Sequence, residues 1–105
     1  MVAVLDMQHL AQYTGGSADL EAELFGLLEK QIDTCVAALK TANDEQSWAE
    51  ATHTLKGASR GVGAMALGAA CALAEQNPLQ DCYIDAIEEV ANATRTAMEQ
   101  AKSVA

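Results

Sequence analysis

The chain has 105 residues, and 15 Asp and Glu against 6 Lys and Arg give it a formal net charge of −9 at pH 7. This charge argues against a nucleic-acid binder, which needs a basic face to displace counterions from phosphates, and against attachment to anionic lipid. No apolar run approaches the roughly 20 residues of a membrane span, and the N-terminal residues lack the pattern of a signal peptide. We therefore expect one cytoplasmic domain over residues 1–105 that is not held at a membrane.

The cysteines and histidines give no pattern of a metal or disulfide protein. Cys35, Cys71 and Cys82 are odd in number and show no C-x-x-C spacing. Cys35 and Cys71 fall on apolar stripes, where a free thiol packs as a small hydrophobe. His9 and His53 share no helical face with each other or with a methionine, which argues against a metal or haem bundle. We expect no metal site and no cofactor in this chain.

Hydrophobic residues recur with a helical period along the whole chain. Four long helical segments and one short leading segment are predicted, at about residues 5–12, 17–42, 45 to 60 or 62, 64–76 and 80–103. The first ends at Gly15 and Gly16, Ser17 can cap the second, and Asp44 can cap the third. Short connections between long amphipathic helices favour antiparallel neighbours. We therefore predict an all-α fold, an antiparallel up-and-down four-helix bundle over residues 17–103 with a short N-terminal helix and turn over residues 1–16.

The second segment has apolar residues at steps of three and four, which predicts one buried stripe. Its members are Leu20, Leu24, Leu27, Leu28, Ile32, Cys35, Val36 and Leu39. Phe25 lies off this stripe and is therefore the first candidate on this helix for contact with a partner.

The third segment places a histidine on its outer face. At about 100° per residue, its large apolar and small polar residues gather within about 40° of one inward direction. These residues are Trp48, Thr52, Leu55, Ser59 and Val62. His53 then lies at about 140° from that direction and Gly57, one turn later, at about 180°. Glycine in a helix interior costs about 1 kcal/mol relative to alanine. Gly57 is therefore either tolerated at that cost or present because another molecule must come close to His53.

Two cations accompany this histidine. Lys56 and Arg60 are the only basic residues between Thr41 and Thr94, and they lie one and two turns beyond His53. Cations at these positions would stabilise a dianionic group on the imidazole by Coulomb attraction and charge-assisted hydrogen bonds. They would also disfavour the imidazolium form, which keeps the ring neutral and nucleophilic.

Residues 51–59 read ATHTLKGAS, and residues 62–64 read VGA. This segment resembles the H-x-L-K-G-x-S…G-A signature of histidine-containing phosphotransfer (HPt) domains, and the similarity extends over about residues 15–100. Thr52 stands where the family usually has alanine, and Val62 where it usually has leucine. Thr52 points inward, so its hydroxyl is expected to bond the carbonyl one turn back. Ser59 matches the signature but also points inward, which predicts packing or a bond within the helix.

The resemblance implies a phosphoryl carrier of two-component signalling and not an enzyme. His53 would accept a phosphoryl group from a receiver-domain aspartate and pass it to another receiver domain. Lys56 would contact the phosphoryl group, and Gly57 would give the receiver clearance. Arg60 is outside the signature, so its electrostatic assistance rests on geometry alone. No glycine-rich nucleotide loop occurs, so no ATP site is expected, and the divalent metal is expected on the partner receiver.

The partners implied are receiver domains of response regulators, a hybrid sensor histidine kinase, or both. A docking patch of about 1,200 Å² or less in total is predicted around His53, with Ala49, Ala64 and Phe25 as candidate contacts. The acidic surface argues against strong self-association, so a monomer is expected. The alternative is a non-phosphorylated adaptor bundle that binds a receiver or kinase and inhibits it. The presence of both His53 and Lys56 disfavours that alternative, because an adaptor would not need them.

Overall fold

The computed structural model describes residues 2–103, which form five α-helices joined by short turns. The helices are α1 (Met7–Thr14), α2 (Ala18–Thr41), α3 (Glu45–Val62), α4 (Met65–Glu75) and α5 (Asp81–Ser103). No strand occurs among residues 2–103, so the prediction of an all-α fold is confirmed. The limits predicted for the domain, residues 1 and 105, lie outside the described residues. None of the helices described is both long enough and apolar enough to cross a membrane.

Short acidic and hydroxyl side chains begin the first three helices. Asp6, Ser17 and Asp44 each accept a hydrogen bond from the backbone N–H three residues later, at 3.1, 3.3 and 2.7 Å. Each bond satisfies one of the N–H groups that a first helical turn leaves unpaired. The predicted caps at Ser17 and Asp44 are confirmed.

The helices of the bundle pack with their sequence neighbours, and α2 also packs against α5. The α2 and α3 helices are joined only by residues 42–44 and lie side by side, so they run in opposite directions. Two ion pairs show the same for α2 and α5: Asp33 pairs with Arg95, and Lys40, later on α2, pairs with Glu88, earlier on α5, both at 2.8 Å. These directions agree with the predicted antiparallel arrangement.

The core lies between the four longer helices. Its large, fully buried hydrophobic side chains include Phe25, Leu28, Ile32, Leu39, Trp48, Leu55, Leu67, Ile87 and Met98. The Trp48 indole N–H donates to the carbonyl of Ala74 at 2.6 Å, so the start of α3 lies against the end of α4. Cys35 and Cys71 are buried as predicted, and burial raises the pKa of the Cys71 thiol to about 12. That thiol therefore stays protonated and packs as a hydrophobe.

The turn between α3 and α4 is closed by the N-terminal segment. Gly63 ends α3 with a φ of 88°, and a Cβ there would lie 2.6 Å from the Asp6 carbonyl oxygen. The Asp6 N–H donates to the Gly63 carbonyl at 2.7 Å, and the Ala66 N–H donates to the Ala3 carbonyl at 2.8 Å. Only glycine fits this position, and the bonds fix the start of α4 against the end of α3.

Candidate functional site

The α3 helix directs His53 to solvent because its opposite face is buried. The Thr52 hydroxyl donates to the Trp48 carbonyl at 3.0 Å, and the Ser59 hydroxyl donates to the Leu55 carbonyl at 2.7 Å. Both buried hydroxyls are therefore satisfied within the helix. The His53 side chain is 75% exposed. The predicted orientation of α3, including the bond from Thr52 to the carbonyl one turn back, is confirmed.

Glu75, the last residue of α4, joins the histidine to the lysine. Its Oε1 accepts a hydrogen bond from Lys56 Nζ at 2.7 Å, and its Oε2 lies 3.5 Å from His53 Nδ1. The hydrogen bond from Lys56 holds the pKa of Glu75 below its ordinary value and outweighs the partial burial that would raise it. Glu75 is therefore an anion at neutral pH, and it faces one of the two ring nitrogens.

This geometry distinguishes the two nitrogens of His53. A carboxylate oxygen beside Nδ1 favours the tautomer in which that nitrogen carries the proton. Nε2 then keeps its lone pair, on the side of the ring away from Glu75. The arrangement can therefore donate an electron pair from Nε2 to an electrophile that arrives from solvent.

Gly57 leaves open space beside the ring. A Cβ placed on Gly57 meets no other atom within 4 Å, and the same is true of Gly61 one turn later. Any side chain at Gly57 would stand on the same helix face as His53, one turn away. The open approach to the imidazole that the sequence predicts is therefore present.

An exposed apolar row on α2 lies beside this opening. Gln31 on α2 and Thr54 on α3 line one groove, and Leu27 lies one turn before Gln31. Because α2 and α3 run in opposite directions, the row that contains Leu27 continues toward Gly57. Leu27 is 52% exposed and Leu20 is 37% exposed. We call Leu20, Leu27 and Gly57 the α2–α3 face.

Phe25 is not on this face, and the prediction that it contacts a partner is wrong. It is 1% exposed and borders a small cavity with Ala22 on α2 and Ala101 on α5. The facing α5 side chain is small, so the large ring fills the space between the helices. Leu20 and Leu27, which the sequence pattern assigns to the buried stripe, are exposed in its place.

The two alanines predicted near His53 lie in different surroundings. Ala49, one turn before the histidine, is exposed. Ala64 is fully buried, because it lies in the tight turn into α4 and its N–H donates to the Ser59 carbonyl at 2.8 Å. Ala64 therefore cannot contact a partner, and that prediction is wrong.

Arg60 lies farther along α3 than the other candidate residues. It is exposed, and its side chain crosses to α4 at Gly68, where a Cβ would lie 2.9 Å from Arg60 Cγ. Seven residues separate it from His53, a rise of about 10 Å along the helix. The structure thus brings Lys56 close to the histidine but does not bring Arg60 there.

Glu75 was not predicted as a site residue, because helical periodicity shows which residues share a face of one helix but not which side chains meet across two helices. One signal was available. An acidic residue in the last turn of a helix is disfavoured by the helix dipole, and Glu75 is the only charged residue in residues 65–75. A carboxylate in that position is most easily retained when another helix supplies a cation, as Lys56 does.

A family model described as Hpt domain matches residues 19–104. The chain belongs to the Hpt domain family. An Hpt domain is a phosphocarrier module of two-component phosphorelays and has no ATP site of its own. The resemblance carried by residues 51–64 is thereby confirmed, and so is the prediction of a role in two-component signalling.

This Hpt domain is also similar to part of a much longer protein, the sensor histidine kinase GacS of Pseudomonas protegens. The two are 35% identical over 75 residues, which is 69% of this chain and 8% of that kinase. The matched region therefore spans less than a tenth of the length of that relative. No solved structure gives a significant match.

Proposed function

We propose that this Hpt domain is a phosphorelay intermediate in which His53 Nε2 takes a phosphoryl group from the aspartyl phosphate of one receiver domain and gives it to an aspartate of another. The observation that carries the proposal is an exposed imidazole with Nδ1 3.5 Å from a carboxylate and open space at Gly57. Similarity to a sensor histidine kinase supports receiver domains of response regulators, or of a hybrid kinase, as the partners.

In the transfer, the lone pair of Nε2 attacks phosphorus and a P–N bond forms. The P–O bond to the aspartate breaks, and the carboxylate leaves with the electron pair. The imidazole ring, with phosphorus on Nε2 and a proton on Nδ1, then carries a positive charge that is delocalised over both nitrogens. The Glu75 carboxylate faces that N–H at 3.5 Å and stabilises the charge as it develops. Glu75 is thus a positioning residue, and the reverse transfer uses the same groups.

Lys56 provides the cation for the transferred group. One of its N–H donors is used by Glu75 at 2.7 Å, and an ammonium has three donors. The remaining two are available to phosphoryl oxygens on Nε2, where charge-assisted hydrogen bonds are strong. The metal ion and most of the electrostatic stabilisation of the transition state come from the receiver, as phosphoryl transfer requires.

The receiver approaches over the α2–α3 face. Gly57 admits its active-site loop to the imidazole, and the exposed side chains of Leu27 and Ala49 provide contacts on either side of the histidine. Such a contact is small and transient, at about 1,200 Å² or less in total. It allows one receiver to leave before the next one binds.

Incubation with a ³²P-phosphorylated receiver tests the proposal. We expect label on this chain that is labile in acid and stable in alkali, the behaviour of phosphohistidine. His53→Gln should take no label, while the control His9→Gln, which changes the chain's only other histidine, should be labelled as wild type is. Label on His53→Gln would refute the assignment. A stable complex with a receiver but no transfer would instead support the inhibitory adaptor.

A further inference from the structure

Two matched positions face each other across α3 and α4. His53 faces Glu75, and seven residues later on α3 Arg60 faces Gly68, which is seven residues earlier on α4. A Cβ at Gly68 would lie 2.9 Å from Arg60 Cγ and 3.4 Å from its Nε. The absence of a side chain at Gly68 therefore lets the arginine stem lie flat on α4.

The distance between His53 and Arg60 is too long for a role of Arg60 in the transfer itself but short enough for a role in docking. Seven residues of helix rise about 10 Å, and the atoms of Arg60 up to Nε lie across α4 and not along α3 toward His53. The guanidinium is thus held away from a phosphoryl group on Nε2. A contact of about 1,200 Å² in total covers about 600 Å² of each partner, equivalent to a disc of about 14 Å radius. Arg60 lies within such a disc centred on His53.

The charge of Arg60 is available to a partner. Four of the six basic residues form ion pairs with acidic residues, and among residues 2–103 only Arg60 and Lys30 form none. An unpaired guanidinium with its stem held in place has already lost much of the rotamer freedom that binding would otherwise cost. Its planar fork of N–H donors matches the geometry of a carboxylate.

We infer that Arg60, held on Gly68, is a specificity-determining residue that binds a carboxylate on the surface of the receiver, about two helical turns from His53. The inference rests on the proposed function and adds the chemistry of the partner: a receiver with an acidic side chain at the edge of its docking face. Arg60 acts on the association of the two proteins and not on the phosphoryl group.

The first test compares two variants that each remove one unpaired cation, Arg60→Gln and Lys30→Gln. Single-turnover transfer from a phosphorylated receiver is measured over a range of receiver concentrations. Loss of a charge-assisted contact should raise the half-saturating concentration about tenfold in Arg60→Gln, with the rate at saturation retained. It should also reduce the dependence on salt. Lys30→Gln should change both quantities less than Arg60→Gln does. Equal effects of the two variants, or none from Arg60→Gln, would overturn the inference.

A second variant keeps the Arg60 guanidinium but removes the space on α4 that its side-chain stem occupies. In Gly68→Ala the new methyl group must displace the arginine stem from α4, so the half-saturating concentration should rise toward that of Arg60→Gln. The double variant Arg60→Gln with Gly68→Ala should then bind the receiver no more weakly than Arg60→Gln alone, because both changes remove the same interaction. Additive effects would show that Gly68 acts through something other than Arg60. Thermal unfolding of each variant identifies any loss of the fold.

A small donor distinguishes docking from chemistry. Phosphoramidate can phosphorylate a histidine without a receiver, so the rate of its reaction with His53 should not depend on Arg60. A slower reaction in Arg60→Gln would place the guanidinium at the phosphoryl group and overturn the inference. If wild type takes no label from any receiver, the proposed function itself fails. If wild type is labelled normally and Arg60→Gln matches it, only the docking role fails.

Discussion

Replacing Gly57 with alanine should make the protein more stable and less active at the same time. Gly57 lies in the interior of α3, and a Cβ there meets no atom within 4 Å. Alanine therefore fits without strain and adds about 0.5–1 kcal/mol to the free energy of unfolding. For a domain of this size, 1 kcal/mol corresponds to a rise of about 4–8 °C in melting temperature.

The same methyl group occupies space that the receiver enters beside His53. Transfer requires the reacting atoms to approach to about 3–3.5 Å, and a displacement of about 1 Å can cost about 100-fold in rate. We therefore expect Gly57→Ala to slow transfer from a phosphorylated receiver by about 10- to 100-fold. Gly57→Glu, with a larger and anionic side chain, should block transfer while the helix content is retained.

Gly26 provides the matched control. It lies in the interior of α2, and a Cβ there also meets no atom within 4 Å. Gly26→Ala should raise the melting temperature by a similar amount and leave transfer unchanged. Circular dichroism on heating and single-turnover transfer measure the two quantities. If Gly57→Ala melts at a higher temperature and still transfers at the wild-type rate, the receiver does not need this space, and the clearance argument is refuted.

Four further substitutions test other parts of the structure. Phe25→Ala should lower the free energy of unfolding by about 3–5 kcal/mol because it empties a buried site. Leu27→Ala should lower the free energy of unfolding by less than about 1 kcal/mol but weaken receiver binding. Urea denaturation and a binding titration measure the two effects. If Phe25 were the surface residue, Phe25→Ala would weaken binding and Leu27→Ala would cause the larger loss of stability. Glu75→Gln should abolish the preference for a proton on Nδ1 of His53, and an unchanged ¹⁵N–¹H tautomer pattern would contradict that role. The pKa of Glu75 is lowered from its ordinary 4.5, so ionised Glu75 makes wild type more stable than Glu75→Gln, by at most about 1 kcal/mol. This difference in the free energy of unfolding should be complete above about pH 5. It should disappear as the pH falls through the lowered pKa. Melting temperatures between about pH 3 and pH 7 check this, and an advantage that persists at the acid end would refute it. Trp48→Phe should cost about 1–3 kcal/mol, since the Ala74 carbonyl loses the indole N–H and keeps only backbone donors such as the Asn77 N–H. A loss under about 0.5 kcal/mol in urea would show that the indole hydrogen bond adds little to stability.

The orientation of α3 could be predicted because its sequence contains a single narrow apolar stripe. Trp48, Thr52 and Leu55 can be buried together in only one rotation of the helix, and that rotation places His53 and Gly57 outside. The cap residues could be predicted because capping depends on residues close in sequence. Local pattern was therefore sufficient for the histidine and the space beside it.

The rest depended on which helices are neighbours. Apolar residues lie on more than one side of α2, so the wheel could not tell that α5 covers Phe25 and leaves Leu27 exposed. Glu75 meets His53 only because α4 folds back along α3 after the turn at Gly63. Neither fact is contained in the period of one helix. Both follow from packing between segments that are distant in sequence.

Trp48 is the chain's only tryptophan, and its indole is bonded to the end of the helix that carries Glu75. Its fluorescence therefore comes from one known place in the molecule, the seam between α3 and α4. Emission from a buried indole moves to longer wavelength when water reaches it. The unlabelled protein consequently carries its own optical probe of whether the histidine and its carboxylate are still held together.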